Sequence, residues 1–348
     1  MDKMFSLLLL FVPAAIIADL LGVSPILNFF LAAIAIIPLA RFIGEATEEL
    51  SVYTGPAWGG LLNATFGNAT ELIIGILAIR SGLIEVVKAS ITGSIIGNLL
   101  LVSGAAIFAG GMTYKKQTFN KTGASASAST LLLAVIALVM PAIFLQTSPM
   151  AGTVVIEELS IFVAILMLIV YFASLIFMLH THKHLYTEEV AEYEPKWSKQ
   201  KSIIILLVAT LAVSLVSEIL VGAVEPIVAQ LGWTELFIGV IFIAIIGNAA
   251  EHTSAILVAR KNRMDLALQI AIGSATQIAM FVAPVLVLIS LLFSKNMSLV
   301  FGQFELISIV LSVLILNTVV EDGESNWLEG LQLLIAYAII AVAFFFHP

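Results

Sequence analysis

A short polar phrase occurs twice in this chain, each time inside a long apolar stretch. The first copy is Gly67-Asn68-Ala69-Thr70-Glu71, and the second is Gly247-Asn248-Ala249-Ala250-Glu251. Each copy places a carboxylate, Glu71 or Glu251, where hydrocarbon would be the usual neighbour. Because a carboxylate at membrane depth is costly, an intramembrane Glu is a candidate functional residue. A repeated pair of them makes an incidental placement the weaker interpretation.

The composition indicates that a lipid bilayer is the solvent of most of the chain. Of the 348 residues, 61% are hydrophobic and 11% are charged, and the mean hydropathy is +1.12. Apolar runs of about twenty residues recur, which favours membrane-spanning helices over a β-barrel. The net charge of −8 argues against a nucleic-acid partner. Without cysteine, disulfides and thiolate metal sites are excluded.

The apolar runs predict an all-α integral membrane protein with eleven transmembrane helices. The first, about 4–22, is interpreted as a retained helix because its apolar stretch is long for a signal peptide. The other ten are predicted at 26–53, 57–80, 83–111, 127–147, 156–182, 201–224, 234–260, 263–293, 303–320 and 327–347.

Lys and Arg are distributed unequally between the two predicted faces. Alternating the helices places 12 of the 15 on the side of the N-terminus, and Arg80, Lys88 and Lys295 on the other. Since cytoplasmic loops carry the excess of Lys and Arg, the N-terminus is predicted to be cytoplasmic and the C-terminus outside. The expected location is the cell membrane, as a multi-pass protein.

An internal repeat accounts for the two phrases. An offset of 180 aligns 67–102 with 247–282 without a gap, and ten of the 36 pairs are identical. Upstream, an offset of 170 pairs Glu48 with Glu218, which are predicted to line the two approaches or to fix helix packing. The predicted organisation is an extra helix at 1–24, a first repeat at 25–182, an acidic linker at 183–200 and a second repeat at 201–348. Five helices per repeat give the repeats opposite orientations, as in many secondary transporters.

Small and polar side chains follow each phrase on the next predicted helix. They form stripes at helical spacing that include Ser94 and Asn98 in the first half and Ser274 and Gln277 in the second. Packing these helices together predicts two carboxylates surrounded by amide and hydroxyl oxygens. The alternative is that the small residues serve helix packing alone. For His252, orienting Glu251 or carrying a proton competes with an ordinary hydrogen bond to a neighbouring helix.

The predicted ligand atoms are all hard oxygens, which suit Ca²⁺ and match Zn²⁺ or Cu⁺ poorly. Two carboxylates in a low-dielectric site cannot both stay ionised without a cation, so the site holds either protons or a divalent cation. Mutually exclusive occupancy is the basis of antiport. The hypothesis is that Ca²⁺ and H⁺ compete for Glu71 and Glu251 during alternating access. No nucleophile constellation or phosphate loop indicates an enzyme, and no cofactor is predicted.

The two phrases, with Gly-Ser-Ile-Ile-Gly-Asn at 93–98 and Gly-Ser-Ala-Thr-Gln at 273–277, resemble the two α-repeats of the cation/proton exchangers. These form the Ca²⁺/H⁺ branch of the Ca²⁺/cation antiporter superfamily, and the resemblance covers essentially the whole chain. Sodium/calcium exchangers carry Pro where this chain has Thr70, and acidic residues where it has Asn98 and Gln277.

The resemblance implies roles for individual residues. Glu71 and Glu251 match the carboxylates that carry the cation and the proton, and Asn68 and Asn248 match amide ligands or gating partners. The implied pore-lining residues are Ser94, Asn98, Ser274 and Gln277, to which the sequence adds His252.

Several alternatives stay open at this point. They are a Na⁺/Ca²⁺ exchanger, a carrier of another divalent cation and a cation channel. The linker carboxylates are either a solvated loop or a regulatory Ca²⁺-sensing segment; they are Glu188, Glu189, Glu192 and Glu194. The expected partners are Ca²⁺, H⁺ and the bilayer, and the oligomeric state, a homo-oligomer included, is undetermined.

Overall fold

The computed structural model describes residues 7–148, 150, 152–182 and 195–347, and within them nearly every element is a helix. The regulatory candidates Glu188, Glu189, Glu192 and Glu194 lie outside the described residues. The first half of the described chain contains α1 (Phe11–Leu20), α2 (Pro25–Phe66), α3 (Ala69–Ser81), α4 (Ile84–Gly111), α5 (Lys121–Thr147) and α6 (Thr153–Thr181). The second half contains α7 (Lys199–Gly222), α8 (Val224–Leu231), α9 (Glu235–Gly247), α10 (Ala249–Ala259), α11 (Met264–Phe293), α12 (Gln303–Val320) and α13 (Trp327–Phe346).

In the described part of the chain, eight helices are long and apolar enough to cross a membrane, or nine if the bent pair α9 and α10 is one span. The prediction of eleven differs in its first and third helices. The first is seen as the ten residues of α1. The third, predicted at 57–80, is divided in two. Its first part belongs to the helical range Pro25–Phe66, and its second part begins after a break at Gly67 and Asn68.

The long helix α2 reverses direction inside its assigned range. Ser51 and Gly59 are eight residues apart, which would separate them by about 12 Å along a straight helix. A Cβ added to Gly59 would nevertheless lie 3.0 Å from Ser51 Cα. The reversal therefore falls between Ser51 and Gly59, where the sequence predicts the boundary between its second and third helices.

Helix α4 is the centre of the bundle. In its apolar 18-residue stretch 83% of the residues are buried, whereas the share is 17% in the corresponding stretches of α6 and α13. The two outlying helices present large apolar side chains such as Phe162 and Ile339 outward. For a chain in a bilayer these surfaces meet lipid, whereas polar residues of α4 such as Ser94 and Asn98 are buried within the protein.

Segments that the charge count places on one side contact one another, which distinguishes two ends of the molecule. At one end, here called the inner end, β1 (Gln117–Thr118) pairs antiparallel with β2 (Glu324–Ser325), a small sheet that the sequence does not predict. Gln117 Nε2 also donates to Ala259 O and Asn262 Oδ1, at 3.0 Å each.

At the other end, here called the outer end, Asn296 Nδ2 donates to Glu157 Oε2 at 2.9 Å, and the Leu299 amide donates to Ser160 Oγ at 3.0 Å. Each of these contacts joins segments that the charge count places on the same side.

Candidate functional site: a carboxylate pair at two helix breaks

The repeated phrases are two helix breaks with the same local backbone. Asn68 has φ −106° and ψ 22°, and Asn248 has φ −95° and ψ 15°. A new helix starts at the residue after each Asn, so Glu71 and Glu251 both lie in a first turn, α3 and α10 respectively. A helix N-terminus presents unpaired amide N–H groups and favours negative charge. The phrase thus places one carboxylate at each of two interior helix starts.

The second break lies directly against the first carboxylate. A Cβ added to Gly247 would lie 3.2 Å from Glu71 Cγ and 3.4 Å from its Oε1. Only a residue without a side chain fits such an approach without displacing its neighbour. The glycine of the second phrase therefore belongs to the site of the first.

A network of amides and hydroxyls joins the two halves of the chain. Asn68 Nδ2 donates to Gln277 Oε1 at 2.6 Å. Asn98 Nδ2 donates to Asn248 Oδ1 and to Ser274 Oγ, both at 2.9 Å. Asn248 Nδ2 donates to Ser94 Oγ at 2.9 Å. Because all four bonds join a residue of the first half to a residue of the second, the network fixes the two phrases relative to each other.

Four acceptor oxygens at the site are buried without a hydrogen-bond partner among the described residues. They are both carboxylate oxygens of Glu71, Oε2 of Glu251 and Oδ1 of Asn98. Buried oxygen atoms of this kind are costly unless a proton or a cation satisfies them. All four are hard oxygens, the class of atom that Ca²⁺ takes as ligand. The Nδ2 groups of Asn68, Asn98 and Asn248 each donate within the network, whereas these four oxygens are left to accept a ligand.

The two carboxylates differ in their access to solvent. Glu251 lines a cavity of about 470 Å³ together with Arg41, Glu45 and Glu48 of α2. A neighbouring cavity of about 580 Å³ shares these three α2 residues and extends to Trp197 at the inner end. Water can therefore reach Glu251 from that end.

Glu71 instead lines a cavity of only about 10 Å³, with room for about one water molecule. Apart from Glu71 and two serines, its walls are apolar side chains and Gly75. The outer approach to this carboxylate is closed.

Close helix contact between α4 and α9 closes the outer approach. A Cβ added to Gly93 of α4 would lie 2.1 Å from Val240 O, and one added to Gly239 of α9 would lie 2.4 Å from Ala89 Cβ. Two glycines facing opposite helices bring the backbones together. This close contact of α4 with α9, here called the closed seal, therefore depends on the absence of side chains at Gly93 and Gly239.

The structure brings most of the predicted site residues together. Glu251, Ser274 and Gln277 line the open cavity, and Glu71 and Ser94 line the closed one. The amides Asn68, Asn98 and Asn248 are buried between them. His252 is half-buried and lines neither cavity.

Sequence reasoning gave Arg41 and Glu45 no place at the site. Arg41 Nε pairs with Glu45 Oε1 at 2.7 Å beside the open cavity. The sequence could have indicated them by their spacing, because Arg41, Glu45 and Glu48 fall on one face of an otherwise apolar helix.

The chain is similar to known proteins over nearly its whole length. The sodium/calcium exchanger protein family matches residues 24–180 and 201–346. The chain belongs to this family. A Ca²⁺/H⁺ antiporter of Synechocystis sp. is 49% identical over all of this chain and 98% of its own length. The Ca²⁺/H⁺ antiporter ChaA of Bacillus subtilis is 48% identical over 96% of each chain. The structure of native YfkE is similar over 99% of this chain and 100% of its own, with a TM-score of 0.88 and 44% identity.

Membership in this exchanger family agrees with the resemblance drawn from the repeated phrases. It also supports the coarse prediction of a multi-pass helical membrane protein, because the family match spans both halves of the chain.

Proposed function

We propose that this protein is a secondary antiporter that exchanges Ca²⁺ for H⁺ across a membrane. The observation that carries the proposal is the group of four buried, unpaired acceptor oxygens on Glu71, Glu251 and Asn98. The relatives named as Ca²⁺/H⁺ antiporters, which match over nearly their whole length, support the same exchange.

Glu71 and Glu251 are the groups for which the two ions compete. With Ca²⁺ bound, both carboxylates are ionised and neutralise the cation; without it, protons take its place. Asn68 and Asn248 hold the two breaks in position, and Ser94, Asn98, Ser274 and Gln277 connect them. Lowering the pH on the side of the open cavity therefore weakens apparent Ca²⁺ binding, because protons occupy the same oxygens.

Access alternates between the two cavities. Closing the 470 Å³ cavity at Glu251 and opening the 10 Å³ cavity at Glu71 would transfer one site from the inner end to the outer end. The opposed repeats, 25–182 and 201–348, provide two related arrangements for this exchange. We extend the proposal to eleven spans, a cytoplasmic N-terminus, an external C-terminus, and an acidic linker that responds to Ca²⁺.

A Na⁺/Ca²⁺ exchanger is the second candidate, since the family includes such proteins by name. Asn98 and Gln277 are neutral where the sodium/calcium exchangers carry acidic residues, so the site lacks the additional negative charge that would attract Na⁺. The two candidates differ in their driving ion, which a transport assay resolves.

The test is Ca²⁺ uptake by proteoliposomes driven by a pH step, with and without Na⁺. We expect uptake from the pH step alone, unchanged by Na⁺, and none when the proton gradient is clamped. Glu71→Gln is the matched variant, because it keeps the shape of the side chain and removes its charge. Normal exchange by this variant, or uptake that requires Na⁺, would contradict the proposal.

A further inference from the structure

A third cavity with an acidic lining lies at the outer end, apart from the paired carboxylates. Its volume is about 370 Å³, and it shares no lining residue with the cavities of Glu71 and Glu251. The end of α1, the start of α2, the end of α7 and α8 enclose it. Its charged and amide lining consists of Asp19, Asn28 and Glu218. Among the described residues, no Lys or Arg lines it.

Asn28 supplies a polar atom with no partner. The residue is only 7% exposed, and its Nδ2 donates to Asp19 Oδ1 at 3.4 Å. Its Oδ1 is buried and accepts no hydrogen bond from any residue in the described part of the chain. Since Nδ2 is directed to the carboxylate, the free atom of the amide is the oxygen. A buried oxygen with nothing to accept is costly, and a cation satisfies it.

The two carboxylates of this cavity have no cationic partner within the described residues. Asp19 and Glu218 are each exposed, and neither forms an ion pair with a described Lys, Arg or His. The rest of the lining is largely apolar and includes Ile16, Leu20, Leu215 and Ile219. Two carboxylates and one amide oxygen give a hard, anionic ligand set, and the cavity leaves space for the waters that Ca²⁺ retains.

We propose that Asp19, Asn28 and Glu218 form a second divalent-cation site, separate from the transported-ion site. The ligands are the two carboxylates and Asn28 Oδ1, and the cation is of the Ca²⁺ type, since all ligands are oxygen. A cation bound here connects α1 to α2 and α7. The site does not depend on exchange activity, so its existence and the proposed antiport can fail separately.

The test measures ⁴⁵Ca²⁺ binding to the purified full chain carrying Glu71→Gln and Glu251→Gln, which removes both carboxylates of the transport site. We expect residual binding of one ion per chain. Adding Asp19→Asn and Glu218→Gln should weaken it at least about tenfold, because both charged ligands are lost. Adding Glu225→Gln instead, on α8 but outside the cavity lining, should leave it unchanged. Absence of residual binding, or residual binding that survives Asp19→Asn and Glu218→Gln, would overturn the proposal.

A second variant in the Glu71→Gln, Glu251→Gln background tests the proposal if the protein that also carries Asp19→Asn and Glu218→Gln does not fold. Asn28→Asp adds a third carboxylate at the same position, and it should tighten residual Ca²⁺ binding on the order of tenfold. If Asn28 only packs α2 against α1, this variant would bind Ca²⁺ no tighter, and that result would contradict the proposed site.

Discussion

The two copies of the repeated phrase have nearly the same backbone and opposite surroundings. Asn68 and Asn248 differ by 11° in φ and 7° in ψ, yet Glu71 lines a nearly closed cavity and Glu251 an open one. The difference arises outside the phrases, in how tightly the neighbouring helices pack. Local sequence therefore forms the carboxylate sites, and helix packing decides which of them meets water.

The same contrast is found at a repeated glycine. Gly93 and Gly273 are equivalent at the offset of 180, but a Cβ at Gly93 would collide with Val240, whereas one at Gly273 would meet nothing within 4 Å. One glycine belongs to a closed seal, and its counterpart lines the open cavity. An exchange of these two environments is what alternating access requires.

The largest expected effect comes from removing either carboxylate charge. Glu71→Gln and Glu251→Gln should each lower pH-driven Ca²⁺ uptake at least about a hundredfold, because a divalent cation then lacks a neutralising ligand. The measurement is the initial rate of ⁴⁵Ca²⁺ uptake by proteoliposomes.

Equal losses would support one shared site despite the unequal access. If one variant retained most of its rate, the two phrases would not form a single site.

A labelling experiment tests the difference in access directly. The chain has no cysteine, and Ile74 and Ser254 are equivalent at the offset of 180. Ile74 lines the closed cavity, and Ser254 lines the open one. A Ser254→Cys protein should react with a charged thiol reagent about a hundredfold faster than an Ile74→Cys protein, because only the first thiol meets water.

Mass spectrometry after timed exposure gives the two rates, and the unsubstituted chain serves as the blank. Similar rates for the two thiols would show that both cavities are open.

The paired glycines predict unequal losses of stability. Gly93→Ala should lower the free energy of unfolding by about 1–3 kcal/mol, because the added methyl group overpacks the contact with Val240. Gly273→Ala should change it by less than about 0.5 kcal/mol. Thermal unfolding in detergent measures both.

If Gly273→Ala is stable yet slows exchange, the inner cavity closes against this glycine during transport. Equal destabilisation by both changes would contradict the assignment of the closed seal to Gly93.

The smallest effect is expected at the charged lining of the open cavity. Glu48→Gln should raise the Ca²⁺ concentration for half-maximal uptake from the inner side about two- to threefold, because the local attraction for cations weakens. Added salt should reduce the difference. The control is Glu157→Gln at the outer end, where Glu157 accepts a hydrogen bond from Asn296. A larger effect at Glu157 would contradict the placement of the entry path.

How much of the site could be predicted depended on how far apart in the sequence the contacting residues are. The repeated phrases pointed to both carboxylates, and the family resemblance pointed to Asn68 and Asn248. The helix breaks at these two amides were not predicted. Gly247 was recognised as part of a phrase, but its contact with Glu71 was not, since 176 residues separate the two in sequence. Arg41 and Glu45 lie only four residues apart, but their position beside the cavity of Glu251 was missed, since distant segments form that cavity. The cavity at Asn28 was missed for the same reason, because residues 215–226 form its other side.

By itself, the sequence determined that this protein is a helical membrane protein with two matching acidic sites, since composition, periodicity and the repeat are properties of the chain alone. Only the tertiary structure decided that Glu251 is open and Glu71 closed, and that Asp19, Asn28 and Glu218 meet at one cavity. The physical reason is that access to water depends on the distance between packed helices. In this fold it is set by backbone contacts such as that of Gly93 with Val240, between residues 147 positions apart.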